Sequence, residues 1–96
     1  ALQALTGGLK DPDSGVRMMS ANALAALGPA AAPGLDALIA AAGVAGEHVQ
    51  VLRSVADALG AIGPPATKAV PLLEQLRKVP RVQWNAEAAI ARIGVK

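Results

Sequence analysis

Three copies of one pattern constrain this chain more than any other feature. The run Val16-Arg17-Met18-Met19-Ser20-Ala21-Asn22-Ala23-Leu24-Ala25-Ala26-Leu27-Gly28-Pro29 returns as Val51-Leu52-Arg53-Ser54-Val55-Ala56-Asp57-Ala58-Leu59-Gly60-Ala61-Ile62-Gly63-Pro64. Val16 recurs as Val51, an offset of 35, and Val51 recurs as Val82, an offset of 31. The third copy ends in Ala89-Ile90-Ala91-Arg92-Ile93-Gly94. A fixed period of this length marks a unit that cannot bury its apolar face alone and must stack on its neighbours.

Each copy carries a helical stripe. The first is Val16, Met19, Ser20, Ala23, Leu24 and Leu27; the second is Val51, Ser54, Val55, Ala58, Leu59 and Ile62. The third is Val82, Asn85, Ala86, Ala89, Ile90 and Ile93. The i, i+3, i+4, i+7 spacing puts each set on one helix face, which is expected to be core. Gly28, Gly63 and Gly94 close the three helices, the residue type that takes a left-handed cap without strain. Pro29 and Pro64 then forbid continuation. At the first helix Asp11 is the expected cap, Pro12 the first helical residue and Asp13 an acid at the positive helix end.

A shorter helix follows each of the first two. One holds Leu35, Leu38, Ile39 and Ala42 and stops at Gly43; the other holds Val70, Leu72, Leu73 and Leu76, with Thr67 as its expected N-cap. Leu2, Leu5 and Leu9 predict a similar helix at the start, weakened by Gly7-Gly8. The expected order is six helices in one domain, 1–96. Residues 1–10 form the second helix of a truncated repeat, 11–43 and 44–79 two full repeats, and 80–96 the first helix of a final partial repeat.

Composition agrees with close helix packing. Trp84 is the lone aromatic residue of a chain that is 53% hydrophobic, and 23 of its 96 residues are Ala. Ala is a strong helix former and a weak strand former, so an all-β domain is disfavoured. Without cysteine there is no disulfide, no Cys-type zinc site and no thiol chemistry. The single His48 lacks further ligands nearby and reads as an exposed loop residue. No metal or cofactor is expected. Met18–Leu35 is free of charge and at the lower length limit for a membrane span. Gly28-Pro29 divides it, so it reads as core and no membrane partner is expected.

Four residues stand out as candidate partner contacts. Arg77, Lys78 and Arg81 form a basic cluster. From Lys68 onward there are six basic and two acidic residues, against three and five before it. An anionic partner surface and a solvated loop with cations at a helix C-terminus both fit this cluster. Without interleaved aromatics it falls short of a nucleic-acid footprint. Trp84 is expected to pack over the open end of the array, with an interaction anchor as the second reading. Asp11 and Asp13 are read as capping acids rather than a catalytic pair. No phosphate loop, nucleophile elbow or metal motif is present.

The run Asp11-Pro12-Asp13, Val16-Arg17, Ala23-Leu24, Leu27-Gly28, Pro29-Ala30-Ala31 and Leu35 to Leu38 resembles HEAT-like repeats, most closely the phycobilisome-lyase type. Arg17 is replaced by Leu52 and Gln83 in the later copies, and no Asp-Pro-Asp precedes Val51. Tetratricopeptide repeats need aromatics that are missing here, and the ankyrin Thr-Pro-Leu-His signature is absent. A plain four-helix bundle is the competing topology. The resemblance implies an all-α, armadillo-like α-solenoid of antiparallel helix pairs, about two and a half to three repeats, whose extended surface binds other proteins. The expected function is a non-catalytic interaction or scaffolding module within a larger protein. Its partner would be another protein or another domain of the same chain. The alternative is an accessory segment of an enzyme polypeptide, since such repeats occur in bilin lyases and as C-terminal tails of bacterial sulfatases. The compartment follows the host: cytoplasmic for a free scaffold or bilin lyase, exported for a sulfatase tail. Nucleic-acid binding is a third and weaker reading. Exposed terminal helices predict end-to-end self-association burying Leu2, Leu5, Ile90 and Ile93.

Overall fold

The computed structural model describes residues 2–44 and 46–94. Ala1, Ala45, Val95 and Lys96, which belong to the expected first helix, a loop and the basic tail, lie outside the described residues. Three long helices, α2 (Ser14–Leu27), α4 (Val49–Ile62) and α6 (Gln83–Ile93), alternate with three short ones. The short ones are α1 (Leu2–Gly8), α3 (Leu35–Ala42) and α5 (Val70–Leu76). The described residues contain no strand, so the expected all-α class and the six helices are found. The long helices stack side by side, α2 on α4 and α4 on α6. Each short helix leans on the long helix that follows it. The body measures 34 × 28 × 17 Å, its least dimension being about two helix layers.

Short 3₁₀ stretches, Gly28–Gly34 and Pro64–Ala69, join each of the first two long helices to the next short one. They were not anticipated from sequence. Their cause is the Gly-Pro pair. Gly28 has φ +62°, ψ −139°, and Gly63 has φ +81°, ψ −148°. These are positive-φ turns, but not the expected left-handed cap. A residue before proline is barred from helical ψ, so ψ is driven to extended values. Gly94, with no proline after it, takes the ordinary left-handed cap. The same break answers the membrane question of composition. Ser14–Ala42 is apolar and long enough to resemble a span, yet it is two helices and a 3₁₀ link bent at Gly28.

Two caps move by a residue or more. Asp13, not Asp11, is the N-cap of α2, its carboxylate accepting from the backbone N–H of Gly15 (2.6 Å) and Val16 (3.4 Å). Asp11 instead accepts from the N–H of Asp13, closing an Asx turn around Pro12, which stays outside the helix. Thr67 does not cap α5; its hydroxyl donates to the Pro64 carbonyl inside the 3₁₀ stretch.

The core is aliphatic and small. Leu24, Leu38, Leu59, Ile62, Leu73, Val51, Val55 and Val82 are its largest fully buried side chains. The α4 stripe is buried throughout, because α4 lies between α2 and α6. The α2 stripe is not: Ser20 and Leu24 are buried, while Val16, Met19 and Leu27 are exposed. Both helices carry the same pattern, but among the described residues α2 has a long-helix neighbour on one side alone. Of the four residues expected at sticky ends, Ile93 is buried and Leu2, Leu5 and Ile90 pack against the core.

Gly60 makes the α4–α6 approach possible. A Cβ there would stand 2.9 Å from the Ala89 Cα. Gly60→Ala is therefore expected to destabilise by about 1–3 kcal/mol through overpacking. Gly63→Ala meets nothing within 4 Å, so its loss, also about 1–3 kcal/mol, is backbone strain alone. Urea unfolding of the two variants measures both. Values within about 0.5 kcal/mol of wild type, the range of an ordinary surface change, would refute this account of the crossing and the turn.

Candidate functional site

The first turn of α2 places Arg17 against the loop that precedes α4. Arg17 Nε donates to Glu47 Oε2 at 2.8 Å, and Nη2 donates to Glu47 Oε1 at 2.9 Å. Nη1 donates to the carbonyls of Asp11 (2.7 Å) and Pro12 (3.0 Å). Glu47 Oε1 also accepts from the backbone N–H of His48 at 2.8 Å. One planar fork thus fastens the α1–α2 turn to the loop that precedes α4, a task suited to Arg and not to Lys. The Glu47 side chain is 3% exposed and that of Arg17 is 18% exposed. The bond from Arg17 holds the Glu47 carboxyl below its ordinary value despite burial. The same bond raises the Arg17 guanidinium.

This pair floors a groove of about 440 Å³ between the α1–α2 turn and α3. Lys10 and Pro12 form one lip, and Ala37, Ala40 and Val44 the other. The groove exists because α3 is small here. At the 35-residue offset, Ala37 and Ala40 correspond to Leu72 and Gln75 of α5. Neither the groove nor the role of Glu47 was read from sequence. The usable signal was a lone acid in the loop that lacks the Asp-Pro-Asp entry.

The four expected contact residues divide. Arg77 ends α5 and is already engaged, donating to Glu74 Oε1 at 2.7 Å and lying 3.6 Å from Glu87 Oε2. Lys78 and Arg81 are exposed in the turn between α5 and α6, and neither forms an ion pair among the described residues. Arg81 holds φ +72°, an uncommon conformation for a side-chain-bearing residue. Trp84 does not pack as expected; it is 69% exposed. It occupies the position of Met18 and Arg53 on the earlier long helices. Beside that row, Asn85 donates to Asp57 (2.8 Å) and accepts from Arg53 (3.3 Å), tying α4 to α6. His48 is exposed at the N-terminus of α4 and makes no side-chain cap bond. Among the described residues no cluster of three or more His, Asp or Glu could hold a metal ion.

Residues 1–31 match the family model of the HEAT repeat. The matched stretch covers α1, the Asp11–Asp13 turn, α2 and the start of the 3₁₀ link. It does not separate the phycobilisome-lyase type from other HEAT repeats. No curated protein and no solved structure matches the chain.

Acid should weaken the Arg17–Glu47 tie. A carboxyl whose folded value is depressed stabilises the fold above its ordinary value, 4.5, and loses that contribution as pH falls through its lower folded value. Glu47→Gln is expected to lower the thermal midpoint at pH 7, with the gap to wild type closing below pH 4.5. A gap that stays constant down to pH 3 would show that the charge on Glu47 does not act.

Proposed function

From a chain that carries a HEAT-like repeat and is helical throughout its described length, we propose a non-catalytic protein-interaction or scaffolding module of a larger protein. HEAT repeats generally mediate protein–protein interaction, and the family is typically non-catalytic. The observation that carries the reading is Trp84. A large aromatic side chain stands in solvent in the first turn of α6, and the exposed cations Arg81 and Lys78 lie three and six positions before it in the chain. Trp and Arg are the residue types that anchor interfaces, and a side chain held by a packed helix loses little entropy on binding. The partner contact is formed by Trp84 at its centre and by Lys78 and Arg81 at its rim. Arg77 contributes by holding the turn, since its own charge is spent on Glu74 and Glu87. The partner surface is acidic with an apolar slot for the indole. The parent protein supplies whatever chemistry accompanies it.

Trp84 is the only tryptophan, so its fluorescence reports this surface alone. Addition of a partner recovered with the chain should shift that emission. Trp84→Ala should weaken the complex by about 2 kcal/mol or more. Lys78→Glu with Arg81→Glu should lower affinity chiefly through a slower association rate. A partner that binds all three forms alike would place the interface elsewhere, and turnover by the purified chain would overturn the non-catalytic reading.

A further inference from the structure

The repeat supplies an internal standard for the groove above the Arg17–Glu47 pair. Three positions that line it hold Arg17, Ala37 and Ala41. At the 35-residue offset the same positions hold Leu52, Leu72 and Leu76. Leu52 and Leu76 are buried, and Leu72 packs against the core. The second copy thus puts leucine side chains where the first copy leaves about 440 Å³ open, a volume in the range of ligand sites.

The floor of the groove adds a polar requirement. A guanidinium carries five N–H donors. Arg17 gives two to Glu47 and one each to the carbonyls of Asp11 and Pro12. The fifth, on Nη2, has no acceptor among the described residues, and the Arg17 side chain is 18% exposed. Charge is already balanced around it. The lining holds two cations, Lys10 and Arg17, and two carboxylates, Asp11 and Glu47. An anionic ligand would gain no net attraction and would enter beside two like charges, whereas a neutral carbonyl oxygen can take the unused N–H without that repulsion. A peptide residue supplies both an aliphatic side chain and a neutral carbonyl; a fatty acid supplies the chain with the wrong charge.

We propose that this groove binds a leucine-bearing peptide segment of a partner protein. The leucine side chain takes the place that Leu72 and Leu76 fill in the next copy, and a backbone carbonyl of the segment accepts from Arg17 Nη2. Trp84, Lys78 and Arg81 do not line the groove, so this site and the Trp84 surface are separate and either can fail without the other.

Methyl NMR of the chain, titrated with the blocked tripeptide acetyl-Ala-Leu-Ala amide, tests it. Saturable shifts are expected at Ala37, Ala40 and Val44, with Trp84 emission unmoved. The blocked trialanine should bind about tenfold more weakly or less, since it lacks the side chain that fills the groove. Hexanoate, an acyl chain with a carboxylate, should bind as weakly as trialanine. Ala37→Leu gives α3 the residue that α5 already carries, so it fills the groove within a fold that accepts it. It should lower affinity for the leucine peptide about tenfold or more while the thermal midpoint holds or rises. Should that variant melt early, Ala40→Gln, an exposed change to the second copy's residue, should weaken binding in the same direction. Equal binding of the three probes would overturn the proposal. So would the absence of saturable shifts at the groove methyls, undiminished binding by the filled groove, or a response carried by Trp84 emission.

Discussion

Close contact between small residues is the constraint on which this fold depends. The long helices can stack only as near as the side chains between them allow. At the α4–α6 crossing nothing intervenes: Gly60 lies against the Ala89 backbone, with no room for one more carbon. Ala21, Ala56, Ala58 and Ala86 line the crossings and are fully buried. Dispersion falls away steeply with separation, so near contact between many small groups substitutes for the large aromatic surfaces this chain lacks. Leu24, Leu38, Leu59 and Leu73 then fill the space between the long and short layers.

Small-residue packing sets distance but not register, and polar contacts supply that. Arg17 reaches across one loop boundary to Glu47, and Asn85 bridges to Asp57 and Arg53 at the next. Each ties one repeat to its successor by a different chemistry. Geometry can be kept while the residues change, because the packing beneath asks only that the loops stay where the helix ends leave them. This is why the Asp-Pro-Asp entry is dispensable before α4. His48 stands at its N-cap without a side-chain bond, and burial of nine α4 residues holds the helix instead.

The helices and their ends were legible because periodicity and Gly-Pro pairs act locally. The 35-residue offset placed α2 and α4, and Gly28, Gly63 and Gly94 marked their ends. Exposure was legible only where neighbours exist on both sides. Identical patterns gave a buried Val51 and an exposed Val16, since burial belongs to the stack and not to the helix. The site was less legible than the fold. Glu47 pairs with a residue 30 positions away, and no local pattern announces such a partner. Asp13 displaced Asp11 as cap because Asp11 could close an Asx turn one step earlier, two uses of the same residue type that composition cannot rank.

In an array, packing fixes some positions of every copy and leaves others open, and selectivity can reside only in the second kind. Leu24, Leu59 and Ile90 are variations on one requirement, an aliphatic wedge. Met18, Arg53 and Trp84 answer no common requirement: a thioether, a cation and an indole occupy one position on three successive helices. Met18 packs against the core, Arg53 bonds Asn85, and Trp84 stands in solvent. In the interaction module proposed above, Trp84 is the position of that row that stands in solvent and can change what binds without disturbing the stack.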